Sequence, residues 1–379
     1  MKRLSTTYFL YFALLGVIVP YLGIFLDGRG FTSAQIGELF ALITVARILG
    51  PSLWASIADR SGKTLLVLQV GCLLTVVSFI GVFWAHDFWW LTLVFALMMM
   101  FWTAVLPQLE VITLHQAELR KRNYGGVRSW GSVGFIVLTI LTGHLLDIYG
   151  TEVPIYISMV LLTLLFVSTL WIANSTPERD TGAKQSTQWQ AALKPVFVIF
   201  ILSTALLQVS FGAYYGFFAL YMRDLGHSGQ LTGVLIALGV LAEIGIFLLA
   251  QRVISHYGIK LLLIASMLLT ALRWWLLGAL PDLIVILVFA QLLHAFSFGL
   301  THAVSVEFIH RYFDRSFQSR GQAIYISIGF GVGGAFGNWL AGQLWQQGSG
   351  AQLAFNISAI VAVLAGLILM PLAKQKLGG

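Results

Sequence analysis

Twelve apolar stretches of about 20 residues, the length a bilayer core demands of a spanning helix, follow one another along this chain. The breaks between them are as short as Asp27-Gly28-Arg29-Gly30 and Arg223-Asp224-Leu225-Gly226, too short to hold a soluble domain. Lipid offers no partner to an unpaired backbone group, so the stretches must be helices. The expected spans are 7–26, 34–57, 65–84, 88–106, 126–146 and 153–172, then 196–220, 231–250, 261–280, 283–309, 322–344 and 351–372. Composition agrees, with 58% hydrophobic and only 10% charged residues and a mean hydropathy of +0.87. The predicted fold class is an all-α membrane protein, with twelve transmembrane helices in two pseudo-symmetric six-helix bundles.

The net charge of +7 does not signal nucleic acid, because the basic residues are spread over short loops instead of clustered on one element. With the N-terminus inside, seventeen of the 22 Lys and Arg fall in inner segments, two (Arg29 and Arg223) in outer loops, and three (Arg47, Arg128 and Arg273) within spans. That asymmetry predicts cytoplasmic termini in an inner, plasma-type membrane. The first apolar stretch is long enough to span and no A-x-A-like site follows it, so no cleavable signal is expected. The single cysteine, Cys72, lies in an apolar run, which rules out an internal disulfide. Trp89 and Trp90 fit an interfacial aromatic belt.

The longest polar segment, 174–194, separates span six from span seven and reads as a cytoplasmic linker between bundles 1–173 and 195–379. The halves echo each other. Gly62 has a counterpart at Gly258, 196 residues on, and Gly131-Ser-Val-Gly-Phe135 returns as Ile326-Ser-Ile-Gly-Phe330, 195 residues on. Parallel six-span repeats point to a transporter with its substrate site between the halves.

Arg128 stands inside span five, in Tyr124-Gly-Gly-Val-Arg128-Ser-Trp-Gly-Ser-Val-Gly-Phe135. A guanidinium stays charged at physiological pH, and hydrocarbon receives it only at a cost on the order of several kcal/mol unless a partner or a wet cavity is present. Glu110 is the expected partner, because both residues lie nine positions from residue 119 and an antiparallel hairpin brings them to one depth. The pair predicts a polar cavity; the plainer alternative is a tie between spans four and five. Arg47, at mid-depth in span two, is open between attracting an anionic substrate and pairing with Glu38, Glu110 or Glu243.

The loop Ala55-Ser56-Ile57-Ala58-Asp59-Arg60-Ser61-Gly62-Lys63-Thr64 resembles the signature loop of the major facilitator superfamily, with Ala55 in place of the first glycine and Thr64 in place of the last basic residue. The resemblance implies gating by Asp59, Arg60, Gly62 and Lys63, in which the aspartate braces the N-terminal end of helix eleven near Arg320. Glu110, Arg128 and the Gly131–Phe135 run are similar to the lactose permease pattern. The Tyr-Gly-x-Val-Arg-x-Trp-Gly-Ser-Val form looks more like the phenylpropionate permease branch, as do Ala213-Tyr214-Tyr215-Gly216-Phe217, Gly239-Val240-Leu241-Ala242-Glu243 and Leu293-His294 with His302. This resemblance runs nearly end to end. It implies substrate contact by Glu110 and Arg128, and proton handling by Glu243, Arg273 and His294. Ser297 stands where the lactose permease has a further carboxylate, which leaves Glu307 as a replacement. Glu243 is open between a proton role and a fixed tie between helices, and Tyr214 and Tyr215 between an aromatic-substrate wall and packing.

Gly329-Phe-Gly331-Val-Gly333-Gly334 satisfies G-x-G-x-x-G, but no strand precedes it, and glycines in an apolar helix let neighbouring helices approach. No metal-ligand spacing, phosphate loop or ATP site is present, so no cofactor, no metal and no enzymatic activity are expected. The expectation is a monomeric symporter driven by protons and working by alternating access, its substrate a small aromatic carboxylate. A sugar or a nucleoside is the alternative substrate. A receptor that kept the fold and lost transport is the alternative of another class.

Overall fold

The computed structural model describes residues 1–121, 123–173 and 189–372, without the Ser52 side chain. The expected linker therefore lies largely outside the described residues. Every regular element described is helical. Eleven helices are long and apolar enough to cross a membrane: α1 Lys2–Gly28, α2 Ser33–Ser61, α3 Thr64–Phe83, α4 Phe88–Leu119, α5 Tyr124–Tyr149, α6 Val153–Leu170, α7 Pro195–Asp224, α8 Gly229–Tyr257, α9 Ile259–Ala279, α10 Ile284–Tyr312 and α11 Arg315–Gly348. The shorter apolar helix α12, Ala351–Leu367, completes the twelve.

Most expected spans are recovered within a few residues, but α4 continues thirteen residues beyond the expected end at 106 (119 − 106 = 13). Gln108 and Glu110 lower the hydropathy there without ending the helix. The winding does break locally at Ala104. Pro107 has no N–H for the Thr103 carbonyl, which explains a break at that place. Two helices widen to π-helical winding in mid-course, α10 over Ala295–Leu300 and α11 over Tyr325–Gly333, a rare winding found mostly at functional sites.

The chain divides into two compact units. The first holds residues 1–179 with 226–234; the second holds 180–225 with 235–379. In the first unit α1 is the central helix, with Tyr8, Leu14, Val17, Tyr21 and Phe25 buried and α5 and α6 against it. The α1–α5 crossing is close because a Cβ at Gly16 would run into the Phe135 carbonyl and one at Gly134 into that of Phe9. Thr139 Oγ1 donates to the Gly16 carbonyl across the same crossing (2.8 Å). At one end Arg29 clamps three connections. It meets both carboxylate oxygens of Glu152 (2.8 and 3.0 Å) and donates to the carbonyls of Val82 and Ala85 (3.0 and 2.8 Å). The opening turn of α8 belongs to this unit, its Gly229 and Gln230 N–H groups capped by the Asp147 carboxylate (2.6 and 3.0 Å).

In the second unit α9 packs on α12, and α7 on α11 and α12. Glycine makes the α7–α11 approach possible, since a Cβ at Gly333 would meet the Ala205 carbonyl at 2.5 Å. Gly333 of the G-x-G-x-x-G stretch thus serves helix contact, as expected. The repeat is visible in the backbone too: Gly62 and Gly258 both end a helix at positive φ, +64° and +76°, where a side chain would be strained.

Candidate functional site

Two polar clusters form, one in each unit. In the first, Tyr124 and Arg128 are four residues apart and so share a face of α5. The Tyr124 hydroxyl donates to Glu110 Oε1 on α4 (3.3 Å). Arg128 lies close enough for its charge to act on Glu110, yet among the described residues the two make no contact ion pair. The direct pairing expected from the hairpin is absent. Arg128 instead lies over aromatic rings of α1, with its guanidinium carbon 3.9 Å from the Phe12 centroid and 5.7 Å from that of Tyr8. Gly131 makes room for this: a Cβ there would meet Phe12 at 2.6 Å and Arg128 Nη1 at 3.0 Å. The buried Tyr8 hydroxyl lies near Thr113 and Tyr124 but makes no hydrogen bond of normal geometry.

Arg47 is exposed on α2, and its carbonyl accepts from Thr103 Oγ1 (3.5 Å). Its charge and those of Glu110 and Arg128 all reach Tyr11, whose ring stacks on Trp102 at 4.6 Å. An open depression of about 1180 Å³ is lined in this unit by Lys2, Phe9, Arg120, Val127 and Trp130 among others. Neither Glu110 nor Arg128 lines it. Asp59, Arg60 and Lys63 are exposed around the Gly62 turn.

The second cluster is closed. Arg273 on α9 is fully buried, its guanidinium carbon 4.2 Å from the Tyr214 centroid and 4.5 Å from that of Trp274. Its Nη2 donates to Gln291 Oε1 (3.2 Å), which also accepts from the Tyr214 hydroxyl (2.8 Å). Its Nη1 lies 3.0 Å from His294 Nδ1. A guanidinium only donates, so Nδ1 is the acceptor and the ring proton of neutral His294 sits on Nε2. That atom lies 3.4 Å from Glu243 Oε2. Glu243 is seated by Gly299 in the π-helical part of α10, where a Cβ would meet its Cγ at 3.0 Å. The His294, Phe298 and His302 rings stack in succession at 5.8 and 5.9 Å, and His302 Nδ1 lies 3.4 Å from the Tyr325 hydroxyl.

Sequence reasoning named Arg273, His294 and Glu243, and the structure joins them. It leaves Glu307 out: that carboxylate meets Arg311 one turn along α10 (2.7 Å). Tyr214 spends its hydroxyl on Gln291 and its face on Arg273, while Tyr215 is half-buried and stacks on Phe211 at 5.3 Å. Sequence reasoning missed Phe12, Tyr8 and Gln291. Gln291 did carry a signal, as a lone polar residue in the apolar run Ile284–Leu292, three positions before His294.

The MFS_1 like family model matches residues 1–357. The chain belongs to the major facilitator superfamily. It is 32% identical to a probable 3-phenylpropionic acid transporter of Escherichia coli (strain K12), over 96% of this chain and 95% of that protein. It is 28% identical to the maltose permease of Geobacillus stearothermophilus, over 97% and 93% respectively. A mutant form of the nucleoside transporter NupG shares the fold, with a TM-score of 0.88 at 18% identity over 98% of both chains. These relatives are transporters, not enzymes. This major facilitator protein is a multi-pass membrane secondary transporter of a small molecule.

Proposed function

We propose that this transporter is a proton-coupled symporter of a small aromatic carboxylate of the 3-phenylpropionate type. Arg128 carries the reading. Its contacts are with ring faces and, among the described residues, with no carboxylate, so its N–H fork is available to grip a substrate carboxylate in two places. Phe12 and Tyr8 supply aromatic surface beside it, and the relative at 32% identity is named for a phenylpropionic acid. Arg47 adds positive charge in the same unit, whereas Tyr214 is committed to Gln291 and Arg273.

Glu243, His294 and Arg273 handle the proton. The Arg273 charge is linked to the Glu243 charge through neutral His294, so the group is neutral as a whole while Glu243 is ionised. Protonating Glu243 leaves a positive charge in an apolar interior, an unfavourable state that an arriving anion relieves. Proton and carboxylate therefore favour each other's binding, as symport requires. Bundles 1–173 and 195–379, joined by 174–194, would work by alternating access, with Asp59, Arg60, Gly62 and Lys63 gating the inner side and both termini cytoplasmic. The protein works as a monomer.

A sugar or nucleoside is the second reading, favoured by the half-buried Glu110 and Tyr124, which suit hydroxyl groups. Thermal stabilisation of the purified protein separates the two. 3-Phenylpropionate should raise the melting temperature while maltose and uridine leave it unchanged; stabilisation by maltose or uridine alone overturns the carboxylate reading.

A further inference from the structure

Gln291 has no assigned part in transport, and its surroundings give it one. It is fully buried, and its Oε1 faces two donors at once, Arg273 Nη2 and the Tyr214 hydroxyl. Because arginine cannot accept, the amide oxygen must face it and the Tyr214 hydroxyl must donate. Gln291 Nε2 is left buried with no partner, as is Arg273 Nε. An unsatisfied buried donor is destabilising, so packing alone gives no reason to keep an amide here.

The amide differs from a carboxylate of the same shape in one respect: it accepts from Arg273 without cancelling its charge. Among the described residues Arg273 touches no carboxylate. The titratable groups facing the cluster are Tyr214 and Tyr215 from α7, Glu243 from α8, and His294 and His302 from α10. Glu243 is the one carboxylic acid among these, and it reaches Arg273 through His294. We propose that Gln291 is a positioning residue for proton coupling: it aims Arg273 Nη1 at His294 Nδ1 and, by staying neutral, leaves Glu243 as the counter-charge of the buried guanidinium. The Tyr214–Gln291–Arg273 bonds then fix which nitrogen of His294 carries its proton, and they make the Arg273 charge respond to protonation of Glu243. This rests on the proton-symport reading and names the residue that makes it work.

The test compares wild type with Q291E and Q291M in proteoliposomes, using 3-phenylpropionate both in exchange at equal pH and in accumulation under an imposed pH gradient. In Q291E the new carboxylate takes over as the counter-charge of Arg273, so the charge on Glu243 no longer balances the guanidinium. Exchange should slow only a few-fold, whereas gradient-driven accumulation should fall by about tenfold or more, the equivalent of about 1.4 kcal/mol of lost coupling. Q291M keeps the volume and loses the acceptor, so Arg273 is no longer aimed at His294, and the pH profile of exchange should broaden. Q291E accumulating as wild type does overturns the proposal while leaving symport intact. Wild type that exchanges but never accumulates overturns symport instead. A ¹⁵N spectrum of ligand-free wild type serves if neither variant folds: His294 should show protonated Nε2 and bare Nδ1, and the opposite tautomer or a resting imidazolium contradicts the assignment.

Discussion

The two polar clusters hold an arginine in opposite ways. Arg128 is half-buried, lies on aromatic faces and has no contact ion pair among the described residues, and its nearby acid is hydrogen-bonded to a tyrosine. Arg273 is fully buried and bonded in two directions, with its charge passed through an imidazole to an acid on another helix. An arginine whose donors lack oxygen acceptors suits a ligand that comes and goes. One whose donors are committed suits an internal switch, because changing a partner's charge is felt at once in a dry setting. On the proposed reading the same side chain serves two tasks, divided by how its N–H groups are used.

Removing Arg273 should separate the two clusters most clearly. Arg273→Met leaves the Gln291 oxygen and the His294 ring without their donor, and removing one member of a buried charged network costs about 3–5 kcal/mol. A large drop in melting temperature is expected, whereas Arg128→Met should leave it nearly unchanged; equal losses would erase the distinction. Arg128→Lys keeps the charge and loses the fork, and should weaken 3-phenylpropionate binding by about 10- to 100-fold by titration calorimetry, in line with about 1.5–3 kcal/mol for charge-assisted bonds. Unchanged affinity would mean that Arg128 only ties helices together. Gly131→Ala pushes on Phe12 and Arg128 Nη1 together, and overpacking by one methyl costs about 1–3 kcal/mol; the expected result is a KM raised roughly tenfold with the maximal rate less affected. Tyr124→Phe removes one hydrogen bond to Glu110, worth about 0.5–1.5 kcal/mol, and should change uptake by only a few-fold.

Much of this was legible from residue order, for physical reasons. Hydropathy had to mark the spans, since lipid permits no alternative to long apolar helices. Charges within those spans are costly enough that Arg128, Arg273 and Glu243 announced themselves. The end of α4 was misjudged because Gln108 and Glu110 resemble a membrane exit, although the helix runs on to Leu119. The Glu110–Arg128 contact failed for a related reason: equal depth on a hairpin places two backbones, and rotation about each helix decides whether the side chains meet. Phe12 could not be found from order, because its role depends on an α1–α5 crossing that Gly16, Gly131 and Gly134 permit far along the chain. Glu307 and His294 share α10, but the i,i+4 spacing from Glu307 to Arg311 offered a nearer partner. The π-helical windings carried no recognisable signal, and one of them holds the Gly299 that lies against Glu243.

On the proposed reading a proton and an anion are carried together because each answers a charge the other leaves. Uptake of 3-phenylpropionate into proteoliposomes holding the wild-type protein, with external pH recorded at the same time, tests it most directly. An inward proton gradient should drive the acid above its equilibrium level, and substrate added without a gradient should make the outer medium more alkaline as both enter. Uptake that only equilibrates, with no movement of protons, would contradict it.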